Sequence, residues 1–145
     1  MIIIKSPREI ELMKKAGRIV ALVFEGIKDK IVPGISTQDI ADMCEDIIRS
    51  NGAYPTFLNY SGYPGAVCVS VNDEIVHGIP SSKRILHDGD IVSVDVGATL
   101  NGYVGDACRT YPVGICRENA LRLVQVTEES FFEGVKYARP GAHLG

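Results

Sequence analysis

The chain contains, at residues 91–111, the stretch IVSVDVGATLNGYVGDACRTY, which predicts two β-strands joined by a tight turn. Asn101-Gly102 is the dipeptide most favoured in two-residue type I′ hairpin loops. Such a loop fixes which residues face each other across the strands, so Asp95 is expected to pair with Cys108. Because strand residues alternate between two faces, Asp95 and Asp106 are expected as diagonal neighbours on one face, about 7–8 Å apart or less.

The two faces of the first strand differ in polarity. One face carries three valines and is suited to a hydrophobic core: Val92, Val94 and Val96. The other face carries Asp95, and Gly97 and Gly105 are expected to flank it and to leave room for a ligand. Two neighbouring carboxylates repel each other, so they must be solvated on an exposed face, share a proton, or bind a cation. We favour a bridging divalent metal, although the sequence pattern alone leaves all three arrangements open.

Two helices are predicted before this hairpin. Ser6-Pro7-Arg8-Glu9 forms a capping box with proline at the first helical position, and apolar residues then recur at helical spacing as far as Pro33-Gly34. Either Ser36 or Thr37 can cap a second amphipathic helix, which Asn51-Gly52 ends.

The segment after the second helix changes to short β-rich runs. These are residues 56–60, 66–71, 75–77, 91–98 and 103–111. A third helix is predicted from about Glu118 to Tyr137, and we expect its apolar residues to face inward: Ala120, Val124, Phe131 and Val135. The order of elements predicts an α+β fold with residues 1–145 as a single domain, in which helices cover one face of an antiparallel sheet.

Composition argues against several classes of protein. The net charge is −3, with Lys and Arg scattered among acidic residues, so no nucleic-acid partner is expected. No apolar run approaches the ~20 residues of a membrane span, so no membrane association is expected. The four cysteines form no C-x-x-C pair, which is typical of a reducing cytoplasmic setting rather than of a disulfide framework.

Candidate substrate-contacting residues precede the hairpin. His77 lies in the stretch IVHGIP, residues 75–80, at the end of a predicted strand where its imidazole can point into a cleft. A hydrogen-bonded structural role is the alternative for this histidine. Tyr60, Tyr63 and Cys68 surround a loop, and they either form an apolar pocket suited to a thioether side chain or belong to ordinary packing.

Together these motifs resemble those of bacterial type I methionine aminopeptidases. The resemblance is carried, in order, by YSGYP at residues 60–64, VCVSVN at 67–72, HGIP at 77–80, DGDIV at 88–92 and GYVGD at 102–106. It implies the pita-bread fold, in which two related α/β halves enclose a dinuclear metal centre. It also implies that this chain corresponds to the N-terminal half of that fold.

The resemblance implies a role for each candidate residue. Asp95 would bind both metals, Asp106 would bridge them, and His77 would contact the substrate and stabilise the transition state. The methionine side chain would occupy a pocket lined by Tyr60, Tyr63 and Cys68. Two divalent ions, Co, Mn, Fe or Zn, would activate the water that attacks the scissile carbonyl. The reaction would release the N-terminal methionine of peptides or nascent chains.

The same resemblance implies further ligands, one histidine and two glutamates, in a second half. With two aspartates alone we expect weak or no metal binding. One alternative is therefore a catalytically inactive fragment or binding module of the same fold, which would form a homodimer through the face left open. A prolidase-like or creatinase-like enzyme is a further alternative.

Overall fold

The computed structural model describes residues 3–143, in which three α-helices accompany a four-stranded antiparallel sheet. The elements are α1 (Pro7–Ile27), α2 (Thr37–Ser50), β1 (Tyr54–Pro55), β2 (Cys68–Val71), β3 (Ile91–Leu100), β4 (Tyr103–Pro112) and α3 (Glu118–Val135). Strand β4 pairs with the whole of β3, whereas β1 and β2 pair with different parts of the other edge of β3. The strand β3 is therefore the centre of the sheet.

The first two helices begin where predicted, and α2 ends at Ser50, beside the predicted Asn51-Gly52 stop, but α1 already ends at Ile27 and does not extend to Pro33-Gly34. At the start of α1 the Glu9 N–H donates to Ser6 Oγ at 3.3 Å, and the Ser6 N–H donates to Glu9 Oε2 at 2.7 Å. At the start of α2, Ser36 is the cap and Asp39 completes a second capping box. The predicted capping box at Ser6 is confirmed, and of the two caps predicted for α2 the structure has Ser36.

The hydrophobic core lies between these two helices and one face of the sheet. That face is formed by Val92, Val94, Val96 and Ala98, all without exposed surface. Helix α1 packs against β3 and β4, and α2 packs against β1 and β2. Helices therefore cover one sheet face, as predicted, and neither α1 nor α2 covers the opposite face, which carries Asp95.

The position of Gly105 differs from the prediction. Gly105 pairs with Ala98, so it lies on the helix-facing side of the sheet and does not flank the carboxylates. A Cβ atom there would lie 2.5 Å from the Gly17 nitrogen and 2.6 Å from the Ala16 carbonyl carbon. The absence of a side chain at Gly105 allows α1 to approach β4 closely, and the prediction that it leaves room for a ligand is wrong.

Two predicted strands are absent from the described residues. Residues 56–60 form turns that lead into a 3₁₀ turn at Tyr60–Gly62, where Asn59 and Ser61 have φ angles of 65° and 50°. Residues 75–77 are irregular, and His77 has a φ of 57°. A residue with a positive φ interrupts an extended strand. The β-rich composition on which both strand predictions rested does not reveal such a residue.

Helix α3 begins at Glu118 as predicted, and Ala120 and Val124 are partly buried, but the later part of its apolar face is exposed. Phe131 and Val135 are 65% and 51% exposed, and no residue of α3 is buried. Helical spacing identifies an apolar face, but it does not show whether the same chain provides a surface to cover it. Within residues 3–143, no helix combines the length and the apolarity that a membrane crossing requires.

The contact between Gly105 and α1 gives a first prediction. Gly105→Ala is expected to lower the free energy of unfolding by about 1–3 kcal/mol, because the new methyl group must displace the helix backbone. Urea unfolding followed by circular dichroism measures the change.

Gly17→Ala is the matched control, because a Cβ at Gly17 meets nothing within 4 Å. It lies in α1 beside the same contact and is expected to stabilise the chain by about 0.5–1 kcal/mol, as alanine does in place of a helical glycine. A Gly105→Ala variant as stable as the parent would contradict the close approach.

Candidate metal centre

The hairpin has the predicted register. Asn101 and Gly102 have φ angles of 51° and 80°, and a type I′ turn requires positive values at both positions. Asp95 pairs with Cys108 and Gly97 pairs with Asp106, so the two aspartates are diagonal neighbours on one face. The turn therefore determines that the two carboxylates lie side by side.

The electrostatics of this pair are unfavourable without a counter-charge. Asp95 is half-buried and Asp106 is exposed. Burial raises the pKa of the Asp95 carboxyl above its usual range, and the Asp106 carboxylate raises it further. His77 and a backbone hydrogen bond from Val96 act on this pKa in the opposite direction, so His77 lies within electrostatic range of Asp95. A bound cation would relieve the repulsion between the two acids.

Both cross-strand neighbours of Asp95 are cysteines with free thiols. Cys68 faces Asp95 from β2, and Cys108 faces it from β4. Burial and then the nearby carboxylates raise the pKa of the Cys108 thiol to about 11. Burial is also the main cause of the raised pKa of Cys68. Cys108 was expected opposite Asp95, but no motif in the sequence indicated that it belongs to the site.

The donor set fits part of a divalent metal site. Carboxylate oxygens are ligands for Mn²⁺, Fe²⁺ and Zn²⁺, and Asp95 and Asp106 present them from adjacent strands of one hairpin. Across residues 3–143, no group of three or more His, Cys, Asp or Glu side chains is arranged to hold an ion. The described residues therefore offer two carboxylates close together. Further donor atoms would be needed to complete the coordination of a divalent ion.

The surroundings of Gly97 differ from the prediction. A Cβ atom at Gly97 would lie 2.6 Å from the Phe57 ring and 2.9 Å from the Thr56 Cβ. The ring of Phe57 therefore fills the space above Gly97, and the prediction that this glycine leaves room for a ligand is wrong. Phe57 was not identified from the sequence, because the segment 56–60 was expected to be a strand.

The structure brings together some of the predicted pocket residues. Tyr63 lies close enough to Cys68 to affect the pKa of its thiol, and Cys68 is 3% exposed. Tyr60 lies in the 3₁₀ turn and is 72% exposed. His77 is also exposed, in the irregular segment beside β2. Tyr63, Cys68, His77 and the two aspartates thus lie in one region of the sheet, with Tyr60 at its solvent-exposed margin.

Known proteins that are similar to this chain in sequence include two bacterial methionine aminopeptidases. The methionine aminopeptidase 1 of Bacillus subtilis is 53% identical over 144 residues, and that of Clostridium acetobutylicum is 49% identical over the same length. Each alignment covers 99% of this chain and 58% of the relative, so the chain spans little more than half the length of these proteins.

Solved structures of two kinds of peptidase are similar to this chain to different degrees. A methionine aminopeptidase from Thermotoga maritima superposes with a TM-score of 0.95 at 45% identity, covering 97% of this chain and 57% of that chain. The prolidase of Pyrococcus horikoshii superposes with a TM-score of 0.82 at 27% identity, covering 96% of this chain and 38% of that chain. The similarity to a methionine aminopeptidase is therefore the greater in both sequence and structure.

These comparisons confirm the predicted resemblance and the α+β half of the pita-bread fold. The model of metallopeptidase family M24 matches residues 11–145. That match extends over both aspartates, the histidine at the sheet edge and the whole hairpin that positions them. The chain therefore belongs to metallopeptidase family M24.

Proposed function

We propose that this chain provides part of a dinuclear metal site that removes the N-terminal methionine from peptides and nascent chains. The observation that carries the proposal is the half-buried Asp95 beside Asp106, held by a two-residue turn on the sheet face that α1 and α2 leave uncovered. The names of similar proteins, in sequence and in structure, supply the substrate, since they are methionine aminopeptidases.

Asp95 and Asp106 are the residues of this chain that would hold the divalent ions, with Co, Mn, Fe and Zn as the candidates. When bound, such ions act as Lewis acids and lower the pKa of water, which is the chemistry that peptide hydrolysis requires. Two carboxylates leave most coordination positions free, so binding by these residues alone is weak. Ligands outside the described residues complete the site.

The neighbouring side chains contact the substrate. His77 lies close enough to Asp95 to affect its pKa, and its imidazole stabilises the negative charge that develops on the scissile carbonyl oxygen. Cys68 and the ring of Tyr63 form the inner part of an apolar pocket for the methionine side chain, and Tyr60 forms its outer edge. The neutral thiol of Cys68 suits a thioether better than a charged group would.

A second candidate is an assembly of this chain without peptidase activity. The exposed apolar residues of α3, which include Phe131 and Phe132, favour a homodimer in which they are covered. Metal-dependent hydrolysis separates the two candidates, because the second has no requirement for Asp95.

The first test of this proposal is a chimera in which residues 1–145 replace the matching segment of the Bacillus subtilis methionine aminopeptidase 1. With Mn²⁺ or Co²⁺, the chimera is expected to release methionine from a Met-Ala-Ser peptide with kcat/KM within about tenfold of the parent enzyme. Asp95→Asn should lower kcat/KM by about 100-fold or more, because loss of a ligand weakens metal binding more than loss of an outer hydrogen bond does.

Asp46→Asn is the matched control for that substitution. Asp46 is exposed on α2, on the opposite side of the sheet, and the same change of charge there is expected to leave the rate unaltered. A chimera that hydrolyses the peptide equally well with Asn at position 95 would rule out the proposed metal site.

The second test concerns stability in the absence of metal. Because the folded state raises the pKa of Asp95, its ionisation favours the unfolded state, and stability is lost as the pH rises through the raised pKa. In EDTA, Asp95→Asn is therefore expected to increase the free energy of unfolding at pH 7. The gain should disappear below about pH 4, where the unfolded carboxyl is also protonated.

Urea unfolding between about pH 3 and pH 7 measures this difference, with Asp46→Asn again as the control. If Asp95→Asn is instead less stable than the parent chain at pH 7, the Asp95 carboxylate stabilises the fold. That result would contradict the view that this carboxylate destabilises the metal-free chain.

A further inference from the structure

The backbone of His77 adopts a conformation that needs external support. Its φ of 57° lies in the left-handed region, which only a few per cent of residues other than glycine adopt, although histidine, asparagine and aspartate are enriched among them. Such conformations persist where surrounding contacts determine them, and they are concentrated at functional sites. The direction of the His77 side chain therefore depends on the contacts of the adjoining peptide groups.

Three hydrogen bonds hold the next residue, Gly78. Its N–H donates to Ser70 Oγ at 3.1 Å, which orients the peptide plane that joins it to His77. Its carbonyl oxygen accepts from the Val69 N–H at 2.9 Å and from the Tyr63 hydroxyl at 2.9 Å. A Cβ atom at Gly78 would clash with the carbonyl oxygen of Val69, so the segment is packed directly on β2.

The backbone N–H and carbonyl groups of Tyr63 both form hydrogen bonds within the 59–63 turn. Its N–H donates to the Tyr60 carbonyl at 2.9 Å, and its carbonyl accepts from the Asn59 N–H at 2.8 Å. A Cβ at Gly65 would lie 3.0 Å from both the Tyr63 ring and Pro80, so the ring is also packed near the end of the HGIP segment. The phenol thus links a compact turn to the residue that follows His77.

We propose that Tyr63 and Ser70 are positioning residues for His77, acting through the two polar groups of Gly78. This inference rests on the proposed function, in which His77 contacts the substrate. It assigns the hydroxyl of Tyr63 a role that its ring does not share. The ring forms a wall for an apolar side chain, whereas the hydroxyl fixes the backbone beside the imidazole.

Tyr63→Phe separates these two roles, because it retains the ring and removes the hydroxyl, which donates to the Gly78 carbonyl at 2.9 Å and also lies 3.2 Å from the Val67 carbonyl oxygen. In the ¹⁵N-labelled 145-residue chain, the amide order parameters of His77 and Gly78 are expected to fall from about 0.85 toward 0.6. The Val69 amide should exchange with solvent about 3- to 10-fold faster, which is the effect expected of losing one net hydrogen bond. The amides of β3 should be unchanged.

Tyr54→Phe is the matched control, because the Tyr54 hydroxyl donates to the Leu58 carbonyl at 3.3 Å and not to Gly78. Ser70→Ala removes the acceptor of the Gly78 N–H and should have the same local effect as Tyr63→Phe, which provides a second test if Tyr63→Phe lowers global stability. Unchanged order parameters and exchange at residues 77 and 78 in both variants would overturn the proposal.

Kinetics of the chimera provide the functional readout. Tyr63→Phe is expected to lower kcat by about tenfold or more, because the imidazole of His77 is misplaced. The KM should stay within about twofold of the value for the unsubstituted chimera, because the apolar wall of the pocket remains. In a His77→Ala background the same substitution should change kcat less than about twofold, since the two residues act as a unit. Additive losses would overturn the positioning role.

The two proposals fail in distinguishable ways. An inactive chimera with altered order parameters in Tyr63→Phe would contradict the peptidase function and leave the positioning of His77 supported. An active chimera with no change at His77 and Gly78 would contradict the positioning role alone.

Discussion

The register of the β3–β4 hairpin is the constraint on which the rest of the structure depends. The Asn101-Gly102 turn aligns ten residues of each strand, and a shift by one residue would reverse both faces of β3. In the observed register the even-numbered residues face α1 and α2, while Asp95 faces the opposite side. The same alignment sets Asp106 beside Asp95. Core and candidate metal site are thus two consequences of one turn.

The two faces contribute to stability in opposite directions. On the helix side, Gly105 allows α1 to pack directly on β4, and the buried valines of β3 complete the core. On the other side, burial and mutual repulsion raise the pKa of Asp95, so the carboxylate pair makes the metal-free fold less stable. The left-handed backbone of His77 adds a further cost. Such costs are typical of residues retained for binding or catalysis.

Features governed by local interactions were predictable from the sequence. The capping boxes at Ser6 and Ser36 and the Asn101-Gly102 turn depend on neighbouring residues, and the structure has all three. The predicted register would also have placed Gly105 opposite Ala98 on the core side, because faces alternate along a strand, so the wrong prediction for Gly105 could have been avoided from the sequence. The left-handed backbone of His77 was not predictable, since it depends on contacts with distant residues of β2 and the 59–65 turn.

The apolar face of α3 was recognisable from its spacing, but its exposure was not. Whether Phe131 and Val135 are buried depends on surfaces that periodicity does not describe. The same distinction applies to the proposed metal ligands. The two aspartates follow from one hairpin, whereas among residues 3–143 no larger group of metal-binding side chains is brought together.

The central claim is that Asp95 and Asp106 together bind a divalent ion, and paramagnetic broadening tests it most directly. Mn²⁺ titrated into the ¹⁵N-labelled chain is expected to broaden first the amide signals around Asp95, Asp106 and Cys108, and Asp95→Asn should abolish this localised effect. Broadening that is centred elsewhere, or that persists unchanged in Asp95→Asn, would contradict the account.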